Sequence, residues 1–492
     1  MKINNINRRL LISTLAVISI AALVSSCGSG NLAGGGIGGT GRSKGVITGF
    51  GSFIVNGVEF YPIASTTYTF DGVSGSESGL KVGMVVEVEG VFDSNGITGS
   101  STKVTMEDLI EGPVDSVATD GSSIVVLGQT VTIGPLTVFD NFTGSASPVP
   151  SDLISLVIVE VSGFPTGTIR ATRIEKKSAA FDPGTTVIEI RGTVSNLNTS
   201  TKTFQIGTLI VNYSGVTVTG TLAGGKYVEV TSSQNVSGNT LTAEAVEVKT
   251  AELRGNAGEK VELQGFVNDA NPSLGDFELE GTAVEYTTST EFEGGIKSDV
   301  AQDVKLEVEG TFEDRSGTLV LVAESIYFEE EGTIEIEGEV TLKGTNSVTL
   351  FGISGIQVFV DTKTQYEDNN SADVRSFSLA DISVNDHLVV RARKESGGTI
   401  IASRIEREDP PFPPVPVSIQ GIVDTKTLGG GGNVELVILG VTIRSSSTPV
   451  YKVNDTVVNA NVFFSAISEG TTVVKASGIF SSTFIDATEL EI

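Results

Sequence analysis

The sequence has no tryptophan, one histidine and one cysteine among its 492 residues. A single Cys leaves no disulfide framework and no cysteine-built zinc site. A single His excludes histidine-paired serine and cysteine nucleophiles and most His-ligated metal centres, save one built on His387 alone. Basic residues are also scarce: 32 Lys and Arg stand against 60 Asp and Glu, a formal charge of −28. Nucleic-acid affinity rests on Lys and Arg displacing phosphate counterions, so this balance opposes it. With only eight Tyr and no Trp, few rings remain on which bases or sugars would stack. The chain is nevertheless not a disordered acidic polymer. Charged residues make up 19% and hydrophobic ones 39%, enough to bury a core.

What is present begins with a processing signal. Lys2, Arg8 and Arg9 precede an apolar run of 15 residues, 10–24. That falls short of the roughly 20 residues a membrane helix needs and reads as the core of an export signal. It ends in Val24-Ser25-Ser26-Cys27, which resembles a bacterial lipobox. The resemblance implies removal of residues 1–26 and lipid attachment at Cys27. Gly28 stands where the inner-membrane retention signal carries Asp, which favours the outer membrane. The mature chain then holds 29 basic and 60 acidic residues, a charge of −31. Residues 27–43 follow as a tether, with eight Gly in the 16 positions 28–43, a composition of flexible chain.

From residue 44 the chain reads as all-β, in short Val-, Ile-, Thr- and Phe-rich runs separated by Gly, Asn and Asp. Four marks recur in register. Gly-x-Val/Ile opens a strand at Gly45, Gly112, Gly192, Gly265, Gly338 and Gly421. A turn glycine follows at Gly57, Gly128, Gly207, Gly281, Gly352 and Gly440. A Leu-x-x-Gly-x-x-Val-x-Val pattern, clearest at 80–88, recurs with drift at its Gly from Leu153, Leu222, Val300 and Ile382, and more loosely near Ile467. A closing Ala-x-x-Ile/Val/Leu ends each unit, with Ser101 and Val104 in the first. The expectation is six tandem units of about five strands, at 44–108, 109–186, 187–256, 257–331, 332–408 and 417–492. Each unit is too small for a thick core, so closure into a barrel is the economical way to remove its edges. Residues 409–416 hold five of the 14 prolines and read as an extended spacer. Strand alternation points Val86 and Val88 inward and Glu87 and Glu89 to solvent, with the same pattern at Glu307, Glu309, Glu335 and Glu337.

The stretch 45–58 (GVITGFGSFIVNGV), followed by Leu80 and the run Gly83 to Gly90, is similar to a bacterial domain of unknown function, DUF5666. The first unit matches closely; the others keep the strand and glycine skeleton. The resemblance implies exported, often lipidated proteins with small barrels like the oligonucleotide/oligosaccharide fold. It implies no activity, cofactor or site residue.

Other motifs carry little. Residues 220–226 (GTLAGGK) have P-loop spacing up to Lys226, but Tyr227 replaces the magnesium-binding hydroxyl and a strand follows, so the match reads as chance. His387 aligns with Val85, one residue out of phase with inward Val86, and reads as a partly exposed strand residue. No Gly-x-Ser-x-Gly elbow is present. Residues 257–331 carry 19 acidic and four basic residues. Their alternation with Val and Leu suggests a solvating face, with weak calcium binding and paired-carboxylate hydrolysis as alternatives. No catalytic, metal or cofactor residue is assigned; the one site residue is Cys27. The sequence thus reads as a non-enzymatic, lipid-anchored outer-membrane protein, facing either the periplasm or the surface. Its role would be an extended acidic spacer or a multivalent scaffold. Its partners would be the membrane through Cys27 and envelope proteins or polymers, not nucleic acid. A calcium-dependent ligand-binding protein is the alternative, and a carboxylate-based hydrolase the third.

Overall fold

The repeated glycines mark two hydrogen-bonded devices that set the path of every unit. The computed structural model describes residues 39–492 apart from 51, 144–148, 251, 273, 330–333, 353–354, 372–373, 375, 396, 410–415, 431–432 and 454–455. Cys27 and the expected export signal lie outside the described residues.

Barrel 1 shows the plan. Its opening strand, Gly39–Gly49, pairs antiparallel with Phe53–Val55, the first arm of a hairpin whose second arm is Val58–Phe70. The second arm runs parallel to the last strand, Thr98–Met106. The last strand pairs antiparallel with the fourth, Val85–Phe92, which returns to the opening strand. This circuit, 1-2-3-5-4-1, closes a five-stranded barrel of the oligonucleotide/oligosaccharide type. It recurs from the opening strands Ile110–Val117, Lys260–Asp269, Ile334–Lys343 and Pro416–Leu428. In barrel 3 the opening strand is broken into Ile188–Thr193 and Ser195–Asn198, and the last into Thr240–Thr242 and Ala245–Val248. The one α-helix among the described residues, Ala460–Ala466, joins the third and fourth strands of barrel 6. The fold is therefore all-β and built of tandem small barrels, as expected.

The turn glycine belongs to a two-residue reversal. Both central residues have positive φ in Asn56-Gly57, Leu127-Gly128, Glu280-Gly281 and Leu439-Gly440, the type I′ geometry that matches strand twist. The first residue of each pair folds its side chain over the opening strand, where the Gly of Gly-x-Val/Ile leaves room. A Cβ on Gly112 would lie 2.7 Å from Leu127, and one on Gly265 would lie 2.2 Å from Glu280.

The Leu-x-x-Gly mark is the second device. The residue three places after the Leu is left-handed in every barrel: Gly83, Leu156, Gly225, Asp303, Asn385 and Gly470. Its N–H donates to the carbonyl of the Val or Ile in the opening mark, at 2.8–2.9 Å, from Ile47 in barrel 1 to Val423 in barrel 6. The two sequence marks are thus the two ends of one hydrogen bond. The drift in residue type leaves the backbone unchanged, although Leu156 pays about 1–2 kcal/mol for a conformation that Asp and Asn adopt more readily.

The first hairpin arm covers only the later half of each opening strand. The earlier half keeps an unpaired edge, and a neighbouring barrel's opening strand fills it. Residues 41–44 run parallel to 260–263, joining barrels 1 and 4. Ile110 and Glu111 pair with Ile190 and Glu189, joining barrels 2 and 3. Residues 335–337 pair with 418–420, joining barrels 5 and 6. Val46, Phe164 and Phe266, from barrels 1, 2 and 4, add a shared apolar cluster in which the two rings meet edge to face at 5.8 Å. Arg173 of barrel 2 donates to the Val82 carbonyl of barrel 1, at 3.1 Å. Arg404, at the same place in barrel 5, donates to the Thr137 carbonyl of barrel 2, at 3.3 Å.

These joins correct three expectations. The described barrels form one compact unit, which does not fit an extended chain of separate domains. Residues 39–43, assigned to the tether, lie in the opening strand because the edge of barrel 4 pairs with them. Pro416, assigned to the proline-rich spacer, begins the opening strand of barrel 6, while 410–415 lie outside the described residues.

Candidate functional site between the barrels

Strand alternation holds: Val86 and Val88 are buried in the core of barrel 1. The opposite strand face, expected to meet solvent, meets other barrels. Glu87 and Glu89 lie 2.6 and 3.1 Å from Arg42, which also reaches Glu259 of barrel 4 at 3.2 Å. Glu307 is 3% exposed, because the join of barrels 1 and 4 roofs it and Lys363 of barrel 5 approaches to 3.0 Å. Glu309 and Glu335 are half-buried, and Lys475 of barrel 6 lies 2.9 Å from Glu335. Glu337, also half-buried, accepts from the Ser418 hydroxyl of barrel 6 at 3.0 Å. His387 is corrected for the same reason: it is 1% exposed, with Nε2 3.2 Å from Glu337 at the join of barrels 5 and 6. The P-loop look-alike runs into the strand Tyr227–Ser232, with Gly225 as its left-handed residue, so no helix N-terminus is there to hold phosphate.

At the join of barrels 2 and 3, four glutamates stand directly opposite one another across adjacent strands: Glu175, Glu160, Glu111 and Glu189. Like charges so placed repel. Burial is the main reason that Glu111 rises to about 7 and Glu189 to about 8. Cations flank the row. Lys177 lies 2.7 Å from Glu160, and Arg191 lies 2.9 Å from Glu189 and 2.6 Å from Glu229. Arg191 also reaches Asp71 of barrel 1 at 3.2 Å.

Among the described residues, two hollows between barrels stand out. The larger, about 520 Å³, lies where barrels 1 to 4 meet. Glu87, Glu107, Glu252, Glu278 and Glu280 line it against Lys44 and Arg191, so its wall is acidic. Burial raises Glu280 to about 7, with Lys44 pulling the other way. The smaller, about 80 Å³, lies among barrels 1, 2, 4 and 5. Inside it Lys305 meets Glu329 at 2.9 Å, and Lys363 bridges Glu307 while lying 3.7 Å from the centre of the Tyr327 ring. Burial raises Glu307 to about 7. Burial also pushes Glu329 upward, but Lys305 and Lys363 outweigh it and hold that carboxyl low. Among the described residues, no group of three or more His, Cys, Asp or Glu is placed to hold a metal.

Sequence reasoning passed over one repeated hydroxyl. Thr66, Thr137 and Thr290, in the third strands of barrels 1, 2 and 4, and Thr364, just before the strand Gln365–Asp368 of barrel 5, each donate to a closing-strand carbonyl at 2.7–2.8 Å. A signal was available: in the first three the Thr falls nine places after the turn glycine. At that spacing barrels 3 and 6 carry Val216 and Pro449, neither with a hydroxyl.

The same four barrels stand out in comparison with known proteins. Residues 44–100, 111–175, 258–326 and 337–406 match the family model of a domain of unknown function, DUF5666. No curated protein matches the chain. A similar solved structure is a multidomain protein with nucleic acid binding domains from Streptococcus pneumoniae. It is 12% identical, with 47% of this chain and 72% of that one covered and a TM-score of 0.10, too slight a likeness to carry anything across. With four tandem matches spanning more than half of its residues on one barrel plan, the chain belongs to the DUF5666 family.

Proposed function

We propose that the protein is a non-enzymatic lipoprotein, anchored to the outer membrane through Cys27, that presents its barrels together as an acidic interaction scaffold. The observation that carries this reading is the use of charged groups as fasteners. Arg191, Arg404 and the Lys363–Glu307 pair each hold one barrel to another. Glu307 and Glu406 are buried against cations at these joins. Barrels held in fixed register present several weak contacts at once, with less ordering cost than a flexible chain. A mature charge of −31 suits partners with basic surfaces. The anchor rests on the lipobox resemblance at residues 24–27. Among the described residues no helix is long and apolar enough to cross a membrane.

Cys27→Ser is expected to abolish fatty-acyl labelling and release the protein from the membrane fraction; labelling that persists contradicts the anchor. Capture from native envelopes by the anchored protein should yield a basic partner whose retention falls as salt is raised. Capture that ignores salt, or none, contradicts the scaffold. Ligand binding is the second reading, favoured by the 520 Å³ hollow, which is within the size range of small-molecule pockets.

A further inference from the structure

We propose that the hollow among barrels 1, 2, 4 and 5 is a binding site for a small zwitterion of amino-acid size, carrying one ammonium and one carboxylate. The inference is independent of the anchor and of the scaffold role. Its first ground is a concentration of unmet hydrogen-bonding groups. Six residues that line this one space each carry a side-chain atom with no hydrogen-bond partner among the described residues: Thr48 Oγ1, Asn56 Oδ1, Thr172 Oγ1, Glu307 Oε2, Gln365 Nε2 and Ser403 Oγ. Asn56, Glu307 and Gln365 are only 6, 3 and 4% exposed. Buried polar groups are nearly always paired, so each unpaired one calls for an explanation. These six come from four barrels, so the folding of no one barrel accounts for them. Thr172 and Ser403 hold the same place in barrels 2 and 5, directly after the closing-strand Ala.

The second ground is the mixture of donors and acceptors. Asn56 Nδ2 already donates to Ser43 Oγ and the Lys44 carbonyl, which leaves its Oδ1 to accept. Glu307 Oε1 receives Lys363, leaving Oε2. Those two acceptors suit an ammonium group. Gln365 Nε2 is an unmet donor, and the Thr48, Thr172 and Ser403 hydroxyls can turn to either role; with the Lys305 and Lys363 ammonium groups beside them, they suit a carboxylate. A bare metal cation would meet Lys305, Lys363 and Arg393 in the lining. A bare anion would leave Asn56 and Glu307 unmet, and an apolar guest would meet none of the six. The space, about 80 Å³, holds several waters, at about 10–15 Å³ of such cavity volume each. A solute of a few heavy atoms, such as glycine, fits in the place of those waters.

The test uses the mature chain and four probes of similar size: glycine, acetate, methylammonium and glycerol, each at about 20 mM. Glycine is expected to raise Tm and to give a saturable heat of binding, while the other three do neither. Gln365→Leu should weaken glycine about tenfold. Thr172→Val, a milder change that keeps the lining's volume, should weaken it by a smaller factor and guards against a Gln365 variant that fails to fold. A glycine-soaked crystal should place its carboxylate near Gln365 and its ammonium near Glu307. Ordered water alone in that crystal overturns the proposal. So does a Tm shift that glycerol reproduces, or one that both variants retain in full.

Discussion

Leu156, Asp303 and Asn385 sit in the left-handed backbone region, which Asp and Asn tolerate and Leu avoids, each held there by its N–H on the opening strand. The sequence shows the glycine form of this position in barrels 1, 3 and 6 and another residue elsewhere, because letters record residue type whereas the repeat keeps φ. Leu156 is 66% exposed, so its side chain gives little in return for the strain. Leu156→Gly is therefore expected to stabilise barrel 2 by about 1 kcal/mol, net of the entropy glycine adds to the unfolded chain. Denaturant unfolding measures it, and an unchanged or lower midpoint contradicts the account. Gly112→Ala should do the reverse. Its Cβ would lie 2.7 Å from Leu127, an overpacking cost of about 1–3 kcal/mol. That seat was legible as a motif, but its reason lies in a turn residue 15 places along the chain.

At the scale of the strand, period-two alternation told which face each glutamate occupies. It did not tell what lies across that face, since Glu111 meets Glu189 only when two barrels 78 residues apart join edge to edge. The join makes stability pH-dependent. Both carboxyls stand above their ordinary value of 4.5, at about 7 and about 8, chiefly through burial. Between 4.5 and those values the folded chain binds more protons than the unfolded one. The contribution is full below 4.5 and is lost as pH rises through 7 and 8. Tm should accordingly fall by several degrees between about pH 5.5 and 8.5, and less in Glu111→Gln/Glu189→Gln. A Tm that rises across that range, or a double variant that falls as far as the wild type, contradicts the burial of this row.

At the scale of the molecule, six copies of about five strands could be read from four recurring marks, and barrel closure from the small size of each unit. Their packing could not, because it depends on contacts such as Arg404 on the Thr137 carbonyl, 267 residues away. Arg404 is buried between Glu367 and Glu406, so Arg404→Ala strands two carboxylates and should cost about 3–5 kcal/mol. The acidity of barrel 4, which composition alone left open to a calcium reading, is taken up partly by Arg42, Lys305 and Lys363 at its joins. The central claim is that opening strands of neighbouring barrels complete one another's edges. Hydrogen exchange of the mature chain tests it most directly, read on peptides covering 41–44, 110–111, 189–190, 260–263, 335–337 and 418–420. Joined edges predict protection close to that of the barrel interiors. Exchange at these edges as fast as in exposed loops, with the interiors still protected, would show barrels that stand apart and would contradict the account.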